Sequence, residues 1–216
     1  MTADKLTPDL AALAAAITTE LLFGQALIRR SGAGFELRHR EDRQSDAAAL
    51  RLLSEDEIRP LARLDSDGRF RPLKSAPNLR QGWRIAARDE RALGAALGFL
   101  YPGAVADWYA ARSASPPVTS YCQFTARQTG MYRLTTKLED AAAAAVTQAC
   151  CHKDFCLKQR LWTVGGAARD PPDDPSEKSM IPCLEPCAIL LESARKTARR
   201  EQRQTSAPAE PASEGW

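Results

Sequence analysis

The sequence predicts an α+β protein: a small mixed N-terminal domain followed by a mainly α, cysteine-rich domain built to bind a cluster. Three observations carry this. Two β-prone runs, Phe23 to Arg30 and Gly34 to Arg40, flank a Ser31-Gly32-Ala33 connection of hairpin length. Alanine-rich stretches with leucines at helical spacing recur before and after them. Five of the six cysteines fall between Cys150 and Cys187.

In chain order, residues 1 to 8 read as frayed, and Leu10, Leu13, Ile17 and Leu21 mark a helix from Leu10 to Leu22 with one apolar face. In the hairpin after it, Phe35, Leu37 and His39 share a face. Ser45 or Asp46 is placed to cap a helix over Ala47 to Leu53, because its side-chain oxygen satisfies a free N–H of the first turn. Ser54 with Glu57 forms a capping box for a second helix that reaches about Leu64 despite Pro60.

Asp65-Ser66-Asp67-Gly68 turns the chain into GRFRPLKSAPNLRQGWR, Gly68 to Arg84, whose prolines bar a central strand. The plain reading is an extended surface segment anchored by Phe70, Leu73, Leu79 and Trp83. The sharper one is a site for an anion or acidic partner made by Arg69, Arg71, Lys74, Arg80 and Arg84. Asp89 to Phe99 is helical, Tyr101-Pro102-Gly103 stops it, and a short helix spans Ala104 to Ala111. Ser113 to Pro117 is the natural linker. Beyond it, helices are expected over Tyr121 to Gly130, Leu138 to Cys150, and from about Pro186 to Arg200; residues 201–216, rich in Pro, Ala, Glu and Ser, read as a disordered tail.

Composition excludes several classes. Lys and Arg number 30 against 27 Asp and Glu, and the excess is spread along the chain, so no nucleic-acid partner is expected. Thr18, Thr19, Glu20 and Gln25 break the longest apolar stretch, which falls short of the ~20 residues of a membrane span. Asp4 and Asp9 stand where a secretory signal would be basic. A cytoplasmic protein is therefore expected, with cysteines serving as ligands or buried thiols and not as disulfides. Neither a G-x-S-x-G elbow nor a dinucleotide or Walker loop is present.

The cysteines read C-C-x4-C, a long Gly/Asp/Pro gap, then C-x3-C beside Pro182 and Pro186. Thiolates are soft ligands that suit a 4Fe-4S cluster or zinc. Cys156, Cys183 and Cys187 are the core set, and the fourth ligand is Cys151, with Cys150 as its alternative, since neighbours on a chain cannot easily face one cluster. Zn is the alternative metal, with His152 able to complete a Cys3His site, though neither pair has the C-x2-C spacing zinc favours. Cys122 reads as a core residue. Lys153, Lys158, Arg160, Arg127, Arg133 and Lys137 either surround the cluster or simply form a solvated face.

GRFRPLKSAPNLRQGWR, RQTGMYRL, CCHKDFCLKQRLW and IPCLEPC together resemble the non-chelatase part of a deinococcal multidomain family. In that family a cobalt-chelatase-like region (sirohydrochlorin chelatase, CbiX-type) is joined to a stabilising domain and a 4Fe-4S cluster-binding domain. The resemblance covers roughly residues 20 to 195. It implies a stabilising α+β domain over 1–112, a cluster-binding domain over 118–200, and no chelatase region, so metal insertion is not expected of this polypeptide. It further implies an accessory or electron-transfer role beside a separately encoded chelatase or redox partner in tetrapyrrole (cobalamin) metabolism. Basic residues near the cluster would then dock an acidic partner or an anionic tetrapyrrole. From a different class, a zinc-stabilised, non-redox interaction module fits the same cysteines. An enzyme with an open iron would need only three of them.

Overall fold

A three-strand meander is the base on which the N-terminal half is laid. The computed structural model describes residues 6–64, 78–152, 155–165 and 181–206. Helix α1 (Pro8–Ala16) opens on Pro8, whose missing N–H is no loss in a first turn. It ends before Thr18, not at Leu22: Leu21 and Leu22 belong to β1 (Glu20–Phe23), which pairs antiparallel with β2 (Ala26–Ser31). Leu21 stands four residues after Ile17, as on a helix, and two before Phe23, as on one face of a strand; the pairing with β2 decides between the two.

Strand β3 (Gly34–His39) completes the meander, with Gly32 at φ 58° in the connection from β2. Asp46 caps as expected, its Oδ1 accepting from the Ala48 N–H at 2.9 Å. The capped segment, however, is a 3-10 turn (Ala47–Ala49) leading into β4 (Arg51–Leu52), not a helix to Leu53. The Arg51 and Leu53 N–H groups donate to Gly82 and Arg84 carbonyls at 3.1 and 2.9 Å, so strand pairing claims the donors a helix would have used. Helix α2 (Glu55–Arg63) has the capping box of Ser54 and Glu57 and runs through Pro60. Then come β5 (Trp83–Ala87), α3 (Glu90–Leu100), capped by Asp89, and α4 (Ala104–Ala110). The sheet order is β1-β2-β3-β5-β4, with only β4 and β5 parallel.

Strand alternation sorts the two faces. Ile28, Leu37 and Ile85 stand side by side across β2, β3 and β5 and pack with Leu13, Ile58, Leu61, Leu93 and Leu97 from the helices. Phe35 and His39 join Leu37 on this buried side, as the sequence predicts. The opposite face is ionic: Glu20 pairs with Arg29 at 3.2 Å and with Arg43, while Glu36 pairs with Arg38 and, at 3.9 Å, with Arg84. Arg38 also donates to the carbonyls of Asp42 and Ser45, pinning that loop over the sheet. Leu79 and Trp83 are buried anchors, whereas Phe70, Leu73, Arg69, Arg71 and Lys74 lie outside the described residues.

The C-terminal half has its own apolar cluster. Helix α5 (Tyr121–Ala126), a 3-10 segment (Gly130–Lys137), α6 (Asp140–Cys151) and α7 (Ala188–Ser206) gather Tyr121, Leu138, Ala143, Trp162, Leu190 and Ala194. Helices α6 and α7 pack together, and small buried side chains, Ala143 on one and Ala194 and Ala198 on the other, belong to this cluster. Helix α7 continues to Ser206, so the start of the expected 201–216 tail is helical; residues 207–216 lie outside the described residues. A pair of two-residue strands, β6 (Gln159–Arg160) and β7 (Pro182–Cys183), runs parallel beside the helices.

Two outcomes test this packing. Gly24 turns β1 into β2 at φ 64°, and a Cβ there would lie 2.7 Å from the Tyr101 ring and 2.9 Å from Ile181 Cδ1. Gly24→Ala should cost about 2–4 kcal/mol, read as a fall in the urea midpoint, since it adds both left-handed strain and overpacking. Burial pushes the Tyr121 hydroxyl from 10.0 up to about 12. A raised value means that its contribution is complete below pH 10.0 and lost as pH climbs through about 12. Tyr121→Phe should flatten that alkaline limb in stability measured against pH.

Candidate metal centre

Four cysteines reach one place from three directions. Cys150 and Cys151 are the last residues of α6. Cys156 ends a turn in which its N–H and that of Phe155 both donate to the His152 carbonyl at 2.9 Å. Cys183 lies in β7, and Cys187 precedes α7, its carbonyl accepting from the Leu191 N–H at 3.0 Å as a helix-capping position does.

The short β6–β7 ladder ties two of these segments together. Gln159 donates to the Ile181 carbonyl at 2.8 Å and Leu161 to the Cys183 carbonyl at 3.0 Å, so the stretch after Cys156 is aligned with the one holding Cys183. Cys150, Cys151, Cys183 and Cys187 all pack against the apolar cluster of the C-terminal half.

The electrostatics show which thiols share a neighbourhood. Burial first, and then the nearby thiols of Cys156, Cys183 and Cys187, push the Cys151 pKa up, while the Arg160 cation pulls it down. Burial likewise raises Cys183 to about 11; the Trp162 hydrogen bond and the Lys158 cation oppose the rise, and the thiols of Cys187 and Cys156 add to it. Four thiolates cannot coexist here without a cation to compensate them. A bound metal centre would supply that cation and displace the protons.

The side chains are set as thiols. Cys183 Sγ lies 3.2 Å from the Glu185 carbonyl, to which a thiol proton donates, and 3.3 Å from Trp162 Nε1, whose N–H donates to it. Among the described residues no group of three His, Cys, Asp or Glu stands close enough together to hold one metal ion. Ligands of a four-iron cluster each take a different iron and stand farther apart than donors to a single ion. The donor set, four soft, half-buried thiols beside two buried basic side chains, fits such a cluster.

The remaining sequence-predicted positions separate clearly. His152 caps the end of α6, is exposed, and lies with its ring 6.2 Å from that of Phe155. Cys122 is exposed on α5, not a core residue. Arg127, Arg133 and Lys137 are on the surface, and Lys153 lies outside the described residues. Lys158 and Arg160 are the exception to the solvated-face reading, being only 8% and 7% exposed. Arg160 also stacks over Trp162, 5.4 Å from its ring centre.

Sequence reasoning missed three supports. Trp162, buried and bonded to Cys183, could have been suspected only from its place in the same motif as Cys156. The other two are contacts with the N-terminal half. Asp107 on α4 pairs with Lys158 at 2.8 Å. Ile181 is fully buried in the N-terminal core against Gly24 and Tyr101, whose hydroxyl accepts from the Gln25 N–H at 2.9 Å. Nothing in residue spacing announces contacts of that range.

Asp107→Asn should destabilise the chain by about 2 kcal/mol, because it strands a buried ammonium, whereas Lys158→Met, which removes the charge itself, should cost less. Chemical denaturation of the two variants checks the order.

Comparison with known proteins finds two family matches along the chain. Residues 8–112 match the DR2241 stabilising domain, and residues 113–196 match the 4Fe-4S iron-sulfur cluster binding domain. The chain also superposes on the crystal structure of DR2241 from Deinococcus radiodurans with a TM-score of 0.71 and 26% identity, over 89% of this chain. DR2241 is described as a multi-domain protein with structural similarity to chelatases and two additional novel domains. The present chain spans 41% of its length. No curated protein matches the chain.

Proposed function

From the premise that a DR2241 stabilising domain is followed here by a 4Fe-4S iron-sulfur cluster binding domain, we propose that Cys151, Cys156, Cys183 and Cys187 hold a 4Fe-4S cluster. The protein then serves as an accessory or electron-transfer component beside a sirohydrochlorin or cobalt chelatase in tetrapyrrole (cobalamin) metabolism. The observation that carries the ligand set is the shared neighbourhood of these four thiols. Cys151 is preferred to Cys150 because the other three act on its sulfur directly.

When bound, the cluster supplies a one-electron centre. The chain's own residues do the rest. Cys187, immediately before the 19-residue α7, is fixed by its carbonyl, which accepts from the Leu191 N–H at 3.0 Å. Pro182 and Pro186 are buried and stiffen the backbone on either side of Cys183. Trp162, Val164 and Leu190 close the apolar side and limit water at the sulfurs. The N-terminal half fixes the loops through Ile181 and the Asp107–Lys158 pair. Among the described residues no helix is long and apolar enough to cross a membrane. The partner reading, a separate chelatase or redox protein, rests on the chelatase likeness of DR2241.

Anaerobic purification with iron and sulfide assays tests the assignment. Wild type is expected to be brown, with about four irons and four sulfides per chain. Single Cys→Ser changes at Cys151, Cys156, Cys183 or Cys187 should each lose most of the iron. Cys150→Ser and Cys122→Ser should retain it. A colourless protein with one tightly held zinc would replace this reading with a metal-stabilised interaction module.

A further inference from the structure

The Trp162 ring belongs to the apolar cluster of the C-terminal half, but packing alone does not dictate where its N–H points. Trp162 is 1% exposed, and an indole nitrogen can only donate. Its N–H is directed at Cys183 Sγ, 3.3 Å away. A neutral thiol is a poor acceptor, so the indole N–H is weakly satisfied while Cys183 stays protonated. The same contact becomes a charge-assisted hydrogen bond once the sulfur is a metal-bound thiolate. Arg160, stacked on this ring, holds its plane. Lys158, two residues after Cys156 in the chain and locked by Asp107, places a buried ammonium near the same sulfur.

We infer that Trp162 is a tuning residue of the centre: its N–H···S bond to Cys183 selectively stabilises the reduced cluster and raises the reduction potential. This rests on the cluster assignment proposed above and deepens it, because it makes the centre a redox site and not only a structural cross-link. When one electron enters from an external one-electron donor, no bond is made or broken and no proton is needed. The added negative charge is shared with the cysteine sulfurs. A hydrogen bond to a sulfur strengthens as that sulfur gains charge, so Trp162 contributes more to the reduced state than to the oxidised one. Lys158 acts in the same sense through its charge.

The test is a dithionite titration of the full chain, followed by electron paramagnetic resonance, with iron and sulfide content measured on each sample. Trp162→Phe, which removes the donor and keeps an aromatic ring, should hold the wild-type iron content and show a more negative midpoint potential. Trp83→Phe is the control: that indole donates to the Arg80 carbonyl at 2.6 Å within the N-terminal half, and its loss should leave the midpoint unchanged. If Trp162→Phe fails to load iron, benzothienylalanine at position 162 decides, since it keeps the shape of tryptophan and lacks the N–H. A negative shift there supports the role, and an unchanged midpoint in a fully loaded variant overturns it while leaving the cluster assignment intact. A wild-type chain that binds no iron overturns both.

Discussion

The attachment of the cysteine loops to the N-terminal core is the constraint on which the rest depends. Ile181, two residues before Cys183, is fully buried beside Tyr101 and the turn at Gly24. Burying such a side chain contributes about 2 kcal/mol, comparable with the smaller terms that decide whether a short loop is ordered at all. Leu157, next to Cys156, packs against the same core, and Lys158 reaches Asp107. Two-residue strands such as β6 and β7 have little stability of their own. They persist because each is anchored from outside, and the sulfurs inherit their positions from that anchoring.

The same arrangement sets how these sulfurs ionise. Thiols that are buried and close resist ionising together, as the raised values of Cys151 and Cys183 show. Fixed positive features stand beside these sulfurs: the Arg160 cation at Cys151, and the Lys158 cation and Trp162 N–H at Cys183. Each favours an anionic sulfur and none is needed by a neutral one. An environment built for negative charge is the physical argument for a metal–thiolate centre here.

The N-terminal half reads as a scaffold. Its sheet buries one face under helices and covers the other with the Glu20, Glu36, Arg29, Arg38, Arg43 and Arg84 network. Arg84, which the sequence offered as part of an anion site, is engaged by Glu36. What the half offers the site is position, through Tyr101, Asp107 and the Gly24 turn.

Much of this was legible from local pattern. Period-2 alternation placed Phe35, Leu37 and His39 on one face, Ser54 and Glu57 announced α2, and the cysteine spacing marked the residues that converge. These are decided by neighbours a few positions apart, so a linear reading can find them. Where local signals were ambiguous, partners distant in sequence chose: β2 drew Leu21 and Leu22 out of a helix, and β5 drew Arg51 and Leu52 out of another. The placing of Cys151 beside the other three thiols, the burial of Lys158 and Arg160, and the Trp162 bond to Cys183 belong to the same class. The amino-acid order by itself determined which sulfurs were available and what chemistry they suit. Only the tertiary structure decided which face one another and what compensates their charge, because burial and electrostatics are set by residues far apart in the chain.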